Sequence, residues 1–364
     1  MGERGEMGLR VLILNVKKIA VSFLMLSLGI YIAWHLAKFL TAAVHLNNTG
    51  MNIAWSDLLN FKIIFLSIII EALPFILIGV FVSAVLQNFV SEETIRRILP
   101  RNKMANLLLA SFLGIIFPVC ECGIVPITRR LISKGVPLYS AVTFMLAAPI
   151  INPVVASSTA VAFSAAPPMV WFRLGLAFFV SFVAGLLLSF WFDSRELKGG
   201  ALQSLCGCGC THDHHNYNYH ARPTMATKLI NTFQNACDEF FDMGKYLIMG
   251  ASLAALVQTF VSRDIILHIG QNSLSSIAAM MTFAFGVSVC SSADAFIAAS
   301  FAGNFTTGSL LAFMVFGPMI DMKNILMMLS AFKTRFVLAL VVIIALLVIG
   351  STYLINYMST GGMG

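Results

Sequence analysis

The chain has 364 residues, 59% of them hydrophobic and only 11% charged. Soluble domains carry about 25% charged residues, and several apolar runs here exceed the roughly 20 residues that one membrane crossing needs, which excludes a soluble globular protein. The formal net charge of +7 comes mostly from Lys and Arg beside the apolar runs, as the positive-inside rule expects, so it is no nucleic-acid signature. Seven cysteines, odd in number and clustered, point to metal or redox chemistry rather than a disulfide framework.

In chain order, Arg10, Lys17 and Lys18 precede an apolar run from Ile19 to about Leu40. That run is too long for a signal-peptide core and has no small-x-small cleavage pattern, so it reads as an anchor helix. Glu6 stands where myristoylation would need Ser or Thr. Apolar helices are predicted near 63–90, 104–133, 138–165 and 169–192, then near 238–261, 274–303, 308–329 and 336–357. Three of these runs carry breaks: at 118–126, at Pro149-x-x-Asn152-Pro153 and near 290. A polar stretch from Asp193 to about Asn231 divides the chain.

The first break, Pro118-Val119-Cys120-Glu121-Cys122-Gly123-Ile124-Val125-Pro126, puts two thiols and a carboxylate between prolines. Ionisable groups and broken backbone are costly in hydrocarbon and persist only where they line a cavity or are buried in protein. The segment is therefore a site hypothesis on its own.

The two halves repeat. Glu71–Ser91 aligns with Asp242–Ser262 with six of 21 positions identical, including Gly79/Gly250, Gln87/Gln258 and Phe89/Phe260. Val119-Cys120 then falls on Val289-Cys290, and Ser140–Asn152 on Ser309–Asp321 with Pro149/Pro318 matched. Gln, Cys and Pro matches in one order, with only single-residue slips, mark an internal repeat of the kind found in transporters. Charge orients it. Arg96, Arg97, Arg101 and Lys103 precede the first broken segment, and Arg129, Arg130 and Lys134 follow its break. A hairpin that enters and returns keeps both clusters inside. The second broken segment has few basic flanks, only Arg263 and His268 before it and Asn304 to Gly308 after it, as expected on the outer face. The expected fold is thus an all-α polytopic membrane protein. It has two inverted-topology repeats with broken, re-entrant helical hairpins, plus one N-terminal helix. Ten full crossings or a parallel repeat is the alternative.

The expected organisation is an anchor helix and outer loop over 1–60, a first membrane repeat over 61–192, a Cys/His-rich loop over 193–234 and a second repeat over 235–364. The N-terminus and that loop are expected on the cytoplasmic side of the plasma membrane.

Inverted repeats bring matched broken segments together near the midplane. The candidate substrate-binding residues are Cys120, Glu121, Cys122, Cys290, Asn152, Asp321 and Asp294. Thiols prefer soft ions such as Cu(I), Zn(II), Cd(II) or trivalent arsenic. Glu71, Asp242 and Glu121 are candidate coupling groups, because a carboxyl at membrane depth can gain or lose a proton. Asn152 and Asp321 also suit simple helix caps, and Cys290 suits ordinary packing. A separate cluster, Cys206, Cys208, Cys210, His212, His214, His215 and His220, lies in the polar loop. Its ligand types suit zinc or Cu(I). No other cofactor is called for.

The runs PVCECGIVPITRRLISKG (118–135) and FMLAAPIINPVV (144–155), with SVCSSADAF (288–296) and FGPMIDMKN (316–324), resemble the bacterial predicted-permease family that includes the organoarsenical efflux permeases. The resemblance spans about residues 60–358 and omits the Cys/His loop. It implies a multi-pass plasma-membrane permease, in some members extruding trivalent organoarsenicals, and in some working with a second, smaller membrane subunit. The expected function is a secondary permease, not an enzyme, that exports a soft metal, metalloid or organoarsenical-like substrate through a cysteine-lined midplane site. Its expected partners are that substrate, the lipid bilayer and a second membrane subunit or further copies of itself, with no nucleic acid. No GxxxxGKS or GxxxxGKT run is present, so energy would come from a gradient or a partner. Two rivals stand beside it: a membrane thiol-disulfide relay through the same cysteines, and a metal-sensing partner subunit of a permease complex.

Overall fold

The computed structural model describes residues 55–100, 102–116, 119–192, 225–260 and 273–361. The expected anchor helix near 19–40, Pro118, and all seven Cys and His residues of the polar loop lie outside the described residues. Those described form helices with no strand among them.

The first repeat holds α1 (Trp55–Phe89), the short α2 (Glu92–Ile98), α3 (Lys103–Ile116), α4 (Glu121–Ser133), α5 (Leu138–Ala147), α6 (Pro153–Ala162) and α7 (Pro168–Trp191). The second holds α8 (Met225–Phe260), α9 (Ser273–Val287), α10 (Asp294–Ser300), α11 (Thr307–Met319), α12 (Met322–Ala331) and α13 (Thr334–Gly361). Among the described residues, five helical spans are long and apolar enough to cross a membrane: 57–89, 168–191, 230–259, 307–331 and 334–358. By contrast α3 and α4, at 14 and 13 residues, reach only about 20 Å each at 1.5 Å per residue. Neither crosses a hydrocarbon core of about 30 Å, and α4 runs back beside α1 toward its Phe89 end, with Gly123 on Gly79 and Lys134 Nζ donating to the Gln87 carbonyl, so the segment enters and turns at Val119-Cys120.

The breaks arise for local reasons, three where the sequence places them and a fourth, between α11 and α12, inside the run expected to be continuous over 308–329. Pro153 opens α6, where its missing N–H costs nothing, and Asn152 caps that helix by accepting from the Val155 N–H at 2.9 Å. The matched Asp321 caps α12 by accepting from the Asn324 N–H at 2.5 Å. Cys120 is extended, and its carbonyl accepts from the Gly123 and Ile124 N–H groups. Cys290, its match, does the same for Ala293 and Asp294. Proline alone does not break a helix here, because Pro74 sits within the unbroken α1. Helix α8 starts at Met225, earlier than the 238 expected from hydropathy. Its polar first turns are held by partners: Asn88 donates to Thr232 Oγ1 and Ser83 Oγ to Glu239 Oε2, each at 2.8 Å.

The packing is that of an inverted repeat. Matched helices α1 and α8 lie antiparallel, with Ser83 against Glu239, Asn88 against Thr232, and Ile68 against Ala251 and Ala254. The end of α7 meets the start of α13 through an edge-on Phe192–Phe336 contact. Helix α3 packs on α5 as α9 does on α11, and α5 on α7 as α11 does on α13. Across the halves, α4 packs on α12 as α10 packs on α6.

Candidate functional site

The two breaks and the start of α12 meet under α1. Cys120, Glu121 and Cys122 from the first break, Cys290 from the second and Lys323 from α12 line one cavity, which Ile68, Glu71, Ala72 and Phe75 of α1 close. Its free volume of about 10 Å³ holds about one water-sized body. Four of the seven predicted substrate residues, Cys120, Glu121, Cys122 and Cys290, and two of the three coupling candidates, Glu71 and again Glu121, therefore line it. Glu71 stands at the exposed rim, while Glu121 is buried.

Close backbone approach builds the floor. Gly79 of α1 lies on Gly123 of α4, where an added Cβ would come within 2.6 Å of the Gly123 carbonyl oxygen. On the other side Gly250 of α8 lies on Lys323, where a Cβ would sit 2.8 Å from the Lys323 Cα. Glu121 is the first residue of α4, at the end of the helix dipole that favours negative charge. In the second break Ser288 adopts a positive φ of 47°, uncommon for a residue with a side chain. Its hydroxyl accepts from the Met322 N–H at 3.2 Å, which ties the second break to the start of α12.

Lys323 is the residue that sequence reading missed. Its Nζ lies 3.8 Å from Glu121 Oε1 and 3.6 Å from Asp321 Oδ2, with all three side chains buried. Glu121 Oε2 has no hydrogen-bond partner among the described residues. The signal was available: a lysine two residues after Asp321 inside an apolar run is itself an intramembrane ionisable group. No three His, Cys, Asp or Glu side chains among the described residues stand close enough to hold a metal ion.

The remaining candidates sit elsewhere. Asn152 spends its amide on its own helix turn, donating to the Ala148 and Pro149 carbonyls at 3.1 Å. Asp321 reaches the site only through Lys323. Asp294 is engaged by Arg173 of α7, whose Nη2 donates to both carboxylate oxygens at 2.8 and 2.7 Å and to the Ser291 carbonyl at 2.9 Å. Asp242 is exposed and pairs with Lys245 at 2.9 Å, so it does not share the cavity with its repeat match Glu71. A further buried cluster, Ser83, Arg130 and Glu239, joins α1, α4 and α8 beyond the cavity, with Arg130 3.5 Å from Glu239.

Residues 57–357 match the predicted permease family. The chain is 49% identical over 307 residues to the UPF0718 protein YcgR of Bacillus subtilis, covering 83% of this chain and 99% of that one. It is 41% identical over 301 residues to a Streptococcus mutans protein named as a subunit of a two-component membrane permease complex, covering 81% and 96% respectively. No solved structure matches the chain.

Proposed function

The chain belongs to the predicted permease family, and from that premise we propose that it is a secondary permease for a soft metal or metalloid species. The substrate passes between the two helix breaks, with Cys120, Cys122 and Cys290 as its sulfur contacts and Glu121 as its carboxylate. The observation that carries this reading is the meeting of three thiols and a buried carboxylate, drawn from both repeats, on one cavity. Thiols rank soft ions and trivalent metalloids above hard cations. A site at the junction of inverted repeats is where alternating access can expose it to either face. In this reading the protein sits in the plasma membrane with the ends of α1 and α7 nearest Phe89 and Trp191 on the cytoplasmic side, and it exports. A second membrane subunit is proposed by analogy with the Streptococcus mutans relative.

The test is protection of cells. A strain lacking the gene is challenged with Cd(II), Zn(II), Cu(I), antimonite and trivalent organoarsenicals, with and without the protein. The expected result is protection against at least one, lost in the Cys120→Ser/Cys122→Ser protein at an unchanged level in the membrane. Full protection by the double variant removes the thiols from the mechanism.

A further inference from the structure

We infer that Lys323 is a tethered cation that holds the substrate's place at Glu121 and must be displaced when a cationic substrate binds. The inference rests on the permease reading above and assigns that site a specificity-determining residue. It begins from geometry. The ammonium sits between two buried carboxylates at 3.8 and 3.6 Å, beyond the 2.7–2.9 Å of a tight charge-assisted hydrogen bond. It therefore neutralises both Glu121 and Asp321 without being locked to either. Glu121 keeps one oxygen free of hydrogen bonds among the described residues, and Cys120, Cys122 and Cys290 line the same cavity. A carboxylate so placed attracts one positive charge, and Lys323 now supplies it.

Three further observations favour a working group over a fold requirement. The repeat places Val154 where the second half has Lys323, so the architecture is built in the first half without a charge there. The stem of Lys323 is fixed by the close approach of Gly250, which leaves the ammonium end as the part free to swing between carboxylates. Asp321 accepts from the Asn324 N–H through one oxygen only and offers the other to Lys323, so it can receive the whole ammonium when Glu121 is taken. Among the described residues no three Cys, His, Asp or Glu side chains already stand at metal-holding distance, so a cation binds here only with rearrangement. Retreat of Lys323 onto Asp321 clears the place and leaves Glu121 to join the thiols. An uncharged substrate gains nothing from this exchange, so the lysine selects for cations.

The test uses the full chain purified in detergent, with Cd(II) as the probe. In the wild-type protein without metal, dicyclohexylcarbodiimide should join the Glu121 carboxyl to the Lys323 amine. The product is an amide formed with loss of one water, which the reagent takes up as its urea, and it is read as a linked peptide by mass spectrometry. Saturating Cd(II) should suppress the link. Lys323→Met should bind Cd(II) roughly tenfold more tightly, since the competing occupant is gone, and Lys323→Gln should match it if the Met variant is not recovered. A missing link in the metal-free protein, a link that survives saturation with Cd(II), or neutral variants with wild-type or weaker affinity overturns the inference. Cd(II) binding that persists in Cys120→Ser/Cys122→Ser instead overturns the thiol site itself. A wild-type protein that binds no Cd(II) ends both for a divalent soft cation.

Discussion

Arg173 is fully buried, and its guanidinium gathers α6, α10 and α11 at one point. It donates to Thr159 Oγ1 at 2.8 Å, to both oxygens of Asp294 and to the Ser291 and Met314 carbonyls. This is the second place where the first residue of a helix after a break is a carboxylate held by a cation from the other repeat. Glu121 with Lys323 is the other. The two differ in tightness, 2.7 Å against 3.8 Å, and that difference separates a strut from a working contact. Removing one partner of a buried pair strands the other charge, at about 3–5 kcal/mol, whereas replacing both by apolar groups is often neutral. Arg173→Met should therefore lose most folded protein in a detergent thermal-unfolding assay, and Arg173→Met/Asp294→Leu should recover most of it and still transport. A double variant that is stable but inactive would give Asp294 the substrate role that its sequence position suggested.

At the scale of elements, the seat of α1 on α4 is set by Gly79 and Gly123 in mutual contact. A Val at position 79 forces the helices apart, because the obstructing atoms are Gly123 backbone. Overpacking of this kind costs about 1–3 kcal/mol. Gly79→Val should lower the unfolding temperature in detergent and open the cavity, so that Cys122, now buried, reacts faster with a maleimide. Unchanged labelling would mean that α4 moves with α1. The breaks themselves were legible in the sequence, since Asn152-Pro153 and Asp321 are caps with strong local rules and the Cys-Glu-Cys run interrupts an apolar segment. The start of α8 was not, because hydropathy discounts Thr232 and Glu239, which Asn88 and Ser83 of α1 hold. Lys323 was passed over for a related reason. The apolar residues around it hide a single charge, and only the fold brings it across from the second half to Glu121.

The whole molecule is symmetric in most of its packing, and the seat of α1 and α8 is among the places where it is not. The antiparallel pair α1 and α8 lies over one side only, with α1 on α4 and α8 on α12. The contacts that the repeat would pair with these, α8 on α10 and α1 on α6, are slight or missing among the described residues. On that uncovered side Val154, Val161 and Phe296 are exposed. In an inverted-repeat transporter, the second conformation is reached when the halves exchange the contacts that differ. Here that means α8 seated on α10. Phe75 now lies against Gly123, and their repeat matches are Tyr246 and Ala293, so the exchange brings those two together. In membranes, cysteines placed by Tyr246→Cys and Ala293→Cys should form a disulfide identified by its linked peptides, and transport should stop until a reductant is added. If the pair stays unlinked under oxidant while transport continues, α1 and α8 do not exchange sides. Access would then have to come from movement of the breaks alone.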